Sequence, residues 1–429
     1  MSGARSRQAA ADLLIETLDN RRTLDEAMST SQFFERLSGP DRGFARAMAS
    51  AALRQLGRID KGLAPFLTRS LDTATPPARA LLRIGAAQAW LMETPPHAVV
   101  SETVDAAKSW ARAKSASGFL NAVLRKVVSD RSHFDKAPVI AVWPDWLTVA
   151  MMTSLGVETA ARIAEAQLTE PELHLTPKQP ADADALAASL EGRVIGPGSV
   201  SVPTGKIAEM EGFEGGDWWV QDVAAALPAR LLGAQAGDRV FDLCAAPGGK
   251  TMQLAATGAD VVALDRSASR LERVKDNLAR TGLGEKVEII AAKLEDWTPS
   301  APADRILLDA PCSALGTLRR HPEGAWIKSP DDIARFPEVQ ARLLEASSKM
   351  LKPGGTLIYC VCTPLASEGA DVIERVLASG DLVRSPIRRE EAGDFAAGVT
   401  EAGDVLTLPN GEYGHDFFFI SRLTRNKTA

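Results

Sequence analysis

The amino-acid sequence predicts a doubly wound α/β domain, in which helices cover both faces of a parallel sheet, preceded by an all-α domain. After Gly216 short apolar runs alternate with helical stretches, which is the pattern of parallel strands joined by crossover helices. Before about Asp130 apolar residues instead recur at steps of three and four, with little strand propensity. A glycine-rich loop follows the first apolar run of the α/β part, where such sheets bind ligands.

The composition is that of a globular protein with two or three domains. The 429 residues are 45% apolar and 24% charged, which excludes general disorder. The first thirty residues lack the uninterrupted apolar core of a signal peptide, and no apolar run is long enough to span a bilayer. All four cysteines lie in the second half, unlike those of a secreted disulfide scaffold. We expect a cytoplasmic monomer with free thiols, no membrane contact and no bound metal.

The charge is distributed unevenly along the chain. The net charge is −6, yet residues 1–140 hold 20 lysines and arginines against 14 aspartates and glutamates, a net charge of +6. The other residues hold 29 against 41, a net charge of −12. A basic front half on an acidic protein is typical of a partner for a polyanion such as nucleic acid. A solvated, arginine-rich helical surface explains the charge equally well.

The chain divides into three predicted domains. A helical pattern runs from Arg7 to about Asp130, and turns such as Gly39-Pro40 interrupt it. A mixed stretch follows, with a helix opening near Trp143 and short β-like pieces between proline and glycine turns. The predicted domains are an all-α domain over 1–140, a small α+β linker domain over 141–215 and the α/β domain over 216–429.

Apolar runs predict the strands of the α/β domain. Five runs predict the parallel sheet, Val240–Leu243, Val261–Leu264, Val287–Ile290, Ile306–Leu308 and Thr356–Val361, and Phe417–Ile420 predicts a final strand. Helices are predicted between them, notably over Ser267–Thr281 and Asp331–Leu351. The carboxyl ends of these strands are expected to share one edge of the sheet.

The loop after the first strand indicates a nucleotide-type site. It reads Cys244, Ala245, Ala246, Pro247, Gly248, Gly249, Lys250 and Thr251, and a helix follows. Glycines allow a tight turn and a close backbone approach, and a helix start offers amide donors to a carboxylate or phosphate. An NTPase is an alternative, because Gly249-Lys250-Thr251 reproduces the end of a P-loop and Asp309 resembles its magnesium-binding acid. Cys244 at the first P-loop position, and Pro247 without an amide proton, disfavour that alternative.

An acid ends the second predicted strand. Asp265 lies 21 residues after Cys244, about the spacing at which adenosine-binding folds place the acid that binds ribose hydroxyls. The same carboxylate could merely cap the helix at Ser267. Taken together with the glycine loop, the position favours ribose binding.

An acid and several thiols follow the fourth and fifth strands. The fourth strand ends in Asp309-Ala310-Pro311-Cys312-Ser313 and the fifth in Tyr359-Cys360-Val361-Cys362-Thr363-Pro364. Asp309 and two of these thiols are expected to face the same cleft as the glycine loop. Cys360 is expected to be a small buried hydrophobe. Cys312 and Cys362 lie past the apolar part of their strands, beside prolines, where helix-start amides lower the pKa of a thiol.

Methylation of cytosine at carbon 5 uses such groups. A thiolate that adds to carbon 6 breaks the conjugation of the ring, and carbon 5 can then attack the sulfonium methyl of S-adenosylmethionine. An acid near the ring nitrogen balances charge, and a second base removes the carbon 5 proton so that the thiolate leaves. A Cys-His protease or acyl transferase has little support, because His321 is the only nearby histidine.

At these motifs the chain resembles the Sun family of RNA cytosine-C5 methyltransferases over nearly its whole length. The specific matches are the loop Cys244–Thr251, the segment Asp309–Ser313 and Cys362, and further matches are Val220–Asp222, Arg319–Pro322 and Lys352–Gly355. Upstream, Leu82–Ala86 and Gly118–Arg125 look like the NusB-type RNA-binding helical domain. The resemblance implies a Rossmann-like class I methyltransferase domain behind a NusB-like domain. It also implies S-adenosylmethionine as cofactor and RNA, 16S (small-subunit) ribosomal RNA in particular, as partner.

The resemblance also implies roles for single residues. Cys362 is the nucleophile, Cys312 the thiol that assists release, and Asp309 contacts the target cytosine or the cofactor. The residues from Cys244 to Lys250 hold the methionine part of the cofactor, and Asp265 holds its ribose.

Two departures from the family pattern bear on the site. Where the family has an acid for the adenine amino group, this chain has Lys293, three residues before Asp296. A lysine cannot accept that hydrogen bond, so Asp296 substitutes, the backbone alone reads adenine, or the affinity for the cofactor is weaker. After the nucleophile the family shows serine and a pair of acids, whereas this chain has Thr363 and then Ser367-Glu368-Gly369.

A non-catalytic RNA-binding ribosome assembly factor with a decayed methyltransferase domain is the remaining alternative. Against decay, the residues named for cofactor and catalysis are intact: Lys250, Asp265, Asp309, Cys312 and Cys362.

Overall fold

The structure, a computed structural model, describes residues 2–409 and 412–427. The described chain forms two compact units. The first unit runs to Thr169 and also contains Leu318–Pro330, and the second comprises Glu170–Thr317 and the chain from Asp331 onward. Within the described residues, no helix combines the length and apolarity needed to cross a membrane.

The first unit is helical, as the apolar periodicity predicts. Its α-helices are α1 (Ser2–Leu18), α2 (Leu24–Thr30), α3 (Gln32–Glu35), α4 (Gly39–Arg54), α5 (Leu56–Leu63), α6 (Pro76–Leu91), α7 (Pro96–Ser109), α8 (Ser117–Val127), α9 (Ser132–Asp135), α10 (Asp145–Leu155) and α11 (Val157–Gln167). Prolines begin α6 and α7, where the first turn has no use for their missing amide proton. The faces of α1, α4 and α6 meet in a core that includes Leu14, Met48 and Leu81.

Buried polar contacts tie α11 and the segment Leu318–Pro330 to α4. The Arg54 guanidinium on α4 donates to the carbonyl oxygens of Arg319 at 2.6 Å and Gln167 at 3.0 Å. The Gln167 side chain donates back to the Arg54 carbonyl at 3.1 Å and accepts from the Trp143 indole at 2.7 Å. A backbone carbonyl buried beside a guanidinium needs that donor, so these groups are held together.

The second unit opens with a small antiparallel sheet. Its strands are β1 (Leu173–Pro177), β2 (Arg193–Ile195), β3 (Ser199–Val202) and β4 (Trp218–Val220), in the order β2-β3-β1-β4, with α12 (Ala183–Ser189) against them. Leu175, Val200 and Trp218 form its core. The predicted linker domain over 141–215 is thus shared between the two units, because its helices bond to Arg54 and its strands pair with β4. The three-domain division remains a proposal.

The main sheet contains the predicted strands. They are β5 (Arg239–Leu243), β6 (Asp260–Asp265), β7 (Val287–Ala291), β8 (Ala303–Asp309), β9 (Leu351–Val361), β10 (Leu382–Arg384), β11 (Val405–Leu406) and β12 (Phe419–Arg425). Strands β5 to β9 are parallel, and β12 runs antiparallel between β9 and β10. The Rossmann-like fold class is confirmed.

Helices accompany the sheet on both faces. They are α13 (Val223–Leu232), α14 (Gly249–Ala256), α15 (Ala268–Thr281), α16 (Pro330–Ile333), α17 (Phe336–Met350), α18 (Ala370–Leu377) and α19 (Arg389–Ala392). The helix predicted over 331–351 is therefore divided in two, and Pro337 lies in the first turn of α17. Leu308 and Tyr359 pack on one face of the sheet, Leu307 and Ile358 on the other, which explains their continuous apolar runs.

The strand order fixes where a ligand site lies. The order is β10-β12-β9-β8-β5-β6-β7, so the chain moves outward from β5 to β7 and returns to β8 on the other side of β5. The loops after β5 and β8 therefore leave the sheet in opposite directions. Open α/β sheets bind ligands in the crevice at this point.

Candidate active site

The glycine loop makes a sharp turn from β5 into α14. Cys244 has φ +65° and Gly248 has φ +105°, both in the left-handed region, which glycine adopts without strain. A Cβ at Gly248 would lie 3.1 Å from the Val274 side chain. The turn lets α14 begin at Gly249 directly after the strand, with its first amides at the crevice.

Asp265, at the end of β6, binds the main chain of that loop. Its carboxylate is buried and accepts from the Ala246 amide at 3.2 Å and from the Ser267 amide at 2.9 Å. Arg270 lies 3.6 Å from the same carboxylate and donates to the Ala246 carbonyl. The N-cap of α15 is Ser267, whose hydroxyl accepts from the Arg270 amide, and at this helix start Asp265 bonds only to the amide of that cap residue. A carboxylate has about four lone-pair positions, which leaves capacity for ligand hydroxyls.

Lys250 and Asp309 form an ion pair that joins the glycine loop to the end of β8. Lys250 Nζ donates to Asp309 Oδ2 at 2.7 Å, and the lysine is almost fully buried. Burial by itself lowers the pKa of Lys250, but the charge of Asp309 outweighs burial and raises the pKa above its ordinary value. The Lys250 ammonium also lies 5.1 Å from the ring centre of Phe418. The pair thus places a cation and an anion side by side in the crevice between the loops after β5 and β8.

Asp242 is a site group that the sequence analysis missed. It is fully buried in β5, its Oδ2 accepts from the Thr251 hydroxyl at 2.5 Å, and within the described chain its Oδ1 has no hydrogen-bond partner. Burial raises the pKa of Asp242 to about 7, against the opposing effect of the Thr251 hydrogen bond. The available signal was an acid in the middle of the apolar run Val240–Leu243.

The two thiols that follow β8 and β9 are in contact. Cys312 Sγ lies 3.4 Å from Cys362 Sγ, and both residues are half-buried. The hydrogen bond to Cys362, burial and the charge of Glu368 raise the pKa of Cys312. The prediction of a lowered pKa is therefore wrong for Cys312, because a neighbouring sulfur and a carboxylate outweigh any helix-start amide. The Cys312 thiol stays protonated at neutral pH.

Of the remaining cysteines of the site, Cys360 is buried and Cys244 is half-buried. Cys360 is fully buried, as predicted, with its Sγ 3.5 Å from Asp309 Oδ1, and burial raises its pKa. Burial, followed by the charges of Asp309 and Asp265, likewise raises the pKa of Cys244. Neither thiol is suited to act as a nucleophile.

The residues proposed for adenine lie at the same edge. The Ala292 amide donates to the Asp265 carbonyl at 3.1 Å, so Lys293 follows the end of β7 beside Asp265. Lys293 and Asp296 are exposed and delimit a short turn, in which the Asp296 amide donates to the Lys293 carbonyl at 3.1 Å. Both residues remain candidates for reading adenine.

A second missed residue is Glu368, whose buried carboxylate bonds to Ser313 and Thr363, the neighbours of the two thiols. In the sequence, Glu368 is distinguished only as part of a departure from the family pattern. Across residues 2–409 and 412–427, no group of three or more His, Cys, Asp or Glu side chains is arranged to hold a metal ion.

Known proteins match both parts of the chain. A family model described as 16S rRNA methyltransferase RsmB/F matches residues 229–424, and one for the NusB family matches residues 4–129. The ribosomal RNA small subunit methyltransferase B of Pseudomonas putida is 34% identical, over 98% of this chain and 98% of its own length. That of Pseudomonas syringae pathovar tomato is 33% identical, over 98% and 96%.

A solved structure supports the fold over the same length. The crystal structure of PH0851 covers 98% of both chains with a TM-score of 0.75 at 22% identity. This likeness concerns the fold alone. The two relatives match nearly end to end at 33% and 34% identity, and the chain therefore belongs to the RsmB/F family of 16S rRNA methyltransferases.

Proposed function

We propose that this protein transfers a methyl group from S-adenosylmethionine to carbon 5 of a cytosine in 16S ribosomal RNA, through a covalent bond between Cys362 and the base. The observation that carries the proposal is the contact of the Cys312 and Cys362 sulfurs at 3.4 Å, at the strand edge that also holds the Lys250–Asp309 pair. The names of the two Pseudomonas relatives support the choice of RNA. A ribosomal substrate is reached in the cytoplasm, and the site needs only one copy of the chain.

The residues of the glycine loop fit the cofactor. The left-handed turn at Gly248 lets α14 begin directly after the strand, the first amides of α14 suit a carboxylate, and Asp265 has acceptor capacity for ribose hydroxyls. When bound, S-adenosylmethionine supplies a methyl group on a positively charged sulfur. The loop from Cys244 to Lys250 would hold its methionine part.

The thiols and the ion pair suit the chemistry of the base. The Cys362 thiolate adds to carbon 6, so a carbon–sulfur bond forms and the electron pair of the carbon 5–carbon 6 double bond becomes available at carbon 5. Asp309 and Lys250 offer an acceptor and a donor to the polar edge of a cytosine extruded from its stack. Carbon 5 uses that electron pair to take the methyl group, and S-adenosylhomocysteine is left. A base then removes the carbon 5 proton, the electron pair of that bond restores the carbon 5–carbon 6 double bond, and the carbon–sulfur bond breaks so that the Cys362 thiolate leaves.

Cys312 suits the release step. Its raised pKa keeps the thiol protonated, and its position in contact with Cys362 allows the S–H to donate to the departing sulfur. A hydrogen bond to a developing thiolate stabilises it, which favours elimination. Cys312 therefore assists release and does not take part in addition.

The function is tested by bisulfite sequencing of ribosomal and transfer RNA from cells with and without the gene. We expect one or more cytosines of 16S rRNA to lose their protection when the gene is absent and to regain it with a wild-type copy. Loss of protection in a transfer RNA alone would reject the ribosomal substrate, and unchanged protection in both would reject the reaction.

The cofactor assignment is tested at Asp265. Asp265→Ala should weaken binding of S-adenosylhomocysteine by roughly 1 to 3 kcal/mol, because a buried pair of ribose hydroxyls loses its acceptor. Titration calorimetry measures this, with Asp260→Ala, an exposed acid at the other end of β6, as the control. Binding of ATP in preference to S-adenosylhomocysteine would contradict the assignment.

A further inference from the structure

A single buried carboxylate connects the two loops that carry the thiols. Glu368 is fully buried in the turn Ala366–Glu368, just before α18. Its Oε1 accepts from the hydroxyls of Ser313 at 2.5 Å and Thr363 at 3.1 Å. Its Oε2 accepts from the Ser313 amide at 2.8 Å and from the Gln340 side chain at 3.1 Å.

The donors come from three elements of the fold. Ser313 directly follows Cys312 in the loop after β8, and Thr363 directly follows Cys362 after β9. The Ser313 and Thr363 hydroxyl oxygens lie 2.9 Å apart, so the two loops meet at the carboxylate. From α17, Gln340 also donates to the Pro311 carbonyl at 3.0 Å, next to Cys312.

The main chain of Glu368 is fixed as well. The Tyr359 hydroxyl, inside β9, donates to the Glu368 carbonyl at 2.7 Å. The main chain at Glu368 therefore cannot shift without breaking this contact to the strand that leads to Cys362.

Packing alone does not account for an acid at this position. The donors that bond to the Glu368 carboxylate are all neutral: two hydroxyls, one backbone amide and one side-chain amide. An isolated buried charge costs free energy unless it is fully hydrogen-bonded, and an apolar side chain would fill the space without that cost. A buried carboxylate at this position is explained if its role is to hold its hydrogen-bond donors, Ser313, Thr363 and Gln340, in place.

We infer that Glu368 is the positioning residue of the thiol pair: its carboxylate binds the residues that follow Cys312 and Cys362 and so keeps the two sulfurs in contact. This inference deepens the proposed function and rests on it for the catalytic consequence. The claim that Glu368 keeps the two sulfurs in contact concerns the protein without RNA or cofactor, and it does not depend on the proposed function. The negative charge of Glu368 also helps to raise the pKa of Cys312, which keeps the proton on the thiol that assists release.

The first measurement reports the sulfur contact without RNA or cofactor. Diamide oxidises two thiols in contact, taking up their two hydrogens while one S–S bond forms, and peptide mass spectrometry identifies the Cys312–Cys362 product. E368Q, which puts an amide donor opposite the Ser313 amide, should slow this disulfide formation at least tenfold. D371N, which alters an exposed acid three residues further on, should leave the rate unchanged.

The second measurement separates positioning from folding. E368Q should lower the kcat of methyl transfer at least tenfold while the KM for RNA and the Kd for S-adenosylhomocysteine stay within about twofold. If E368Q does not fold, the milder variant S313A, which removes one hydroxyl donor, should show the same two effects at smaller size. E368D, which keeps the charge on a shorter side chain, should recover part of the kcat.

The outcomes are distinguishable. Wild-type rates of disulfide formation in both E368Q and S313A would overturn the inference. An equal decrease of that rate in D371N and E368Q would overturn it as well. A wild-type protein that forms the disulfide but methylates no RNA would reject the proposed function, and slower disulfide formation in E368Q would still support the positioning role.

Discussion

Asp242 is a residue whose chemistry is set by burial. The pKa of its carboxyl group rises from the ordinary value of 3.8 to about 7 because no solvent reaches it in β5. Between these two values the folded protein keeps the proton that the unfolded chain releases. The contribution of Asp242 to stability therefore falls as the pH rises from about 4 to about 7.

The difference between the wild type and Asp242→Asn should report this titration. We expect the free energy of unfolding of the wild type, relative to the variant, to decrease by up to roughly 4 kcal/mol between pH 4 and pH 7, at about 1.4 kcal/mol per pKa unit. Urea unfolding over that pH range measures it, and Asp260→Asn, an exposed acid, serves as the control. A pH-independent difference would show that Asp242 titrates normally.

Single residues of the site were partly predictable. Asp265, Asp309, Cys312 and Cys362 could be chosen because each follows a buried strand, and parallel strands bring such positions to one edge. The raised pKa of Cys312 could not be predicted, because it depends on a distance between two loops 50 residues apart in the sequence.

The loop after β8 is the element that holds in place the strand that leads to Cys362, the proposed nucleophile. The Gly316 amide donates to the Cys362 carbonyl at 2.9 Å, and the Phe417 amide donates to the Gly316 carbonyl at 2.9 Å. A Cβ at Gly316 would lie 2.2 Å from the Phe417 oxygen and 2.9 Å from the Cys362 oxygen. Only glycine permits this approach of three backbone segments.

Gly316→Ala should therefore disturb both stability and activity. Backbone must move to admit the methyl group, which should cost about 1 to 3 kcal/mol and lower the rate of methyl transfer by displacing Cys362. Thermal unfolding and a methyl-transfer assay measure the two effects. Gly118→Ala is the control, since a Cβ in that helix meets nothing within 4 Å. Unchanged stability in Gly316→Ala would contradict the described packing.

The helices and strands were easier to predict from the sequence than their division between the two compact units. The strands β5 to β9 could be located because burial on both faces requires continuous apolar runs, and Ser267 marks the start of α15 as its N-cap. The grouping of Leu318–Pro330 with the helical unit could not be predicted, since it depends on a long-range contact such as that of Arg54 with the Arg319 carbonyl.

At the scale of the whole molecule, charge and chemistry are assigned to different parts of the chain. The +6 charge of residues 1–140 lies in the part that matches the NusB family, whereas the thiols and the glycine loop lie in the part that matches the methyltransferases. Deleting the helical part would remove the partners of Leu318–Pro330, such as Arg54. Substitution of surface charges is therefore the cleaner test of RNA binding.

Charge reversal on α8 should weaken RNA binding. Arg125→Glu combined with Lys126→Glu changes two exposed basic residues, and each lost phosphate contact should reduce the slope of log affinity against log salt by roughly 0.7 to 0.9. Lys275→Glu combined with Lys286→Glu makes the same change of net charge in the second unit. Equal loss of affinity in both double variants, over a salt series, would show that net charge alone matters.

The central claim is that Cys362 attacks the base and Cys312 releases it, and covalent trapping tests it most directly. With RNA and S-adenosylmethionine, Cys312→Ala should accumulate a protein–RNA adduct that survives a denaturing gel, because addition and methylation proceed while elimination is slow. Cys362→Ala should give neither methylated RNA nor adduct, although RNA and cofactor still bind. An adduct in Cys362→Ala, with none in Cys312→Ala, would reverse the two roles and contradict the account.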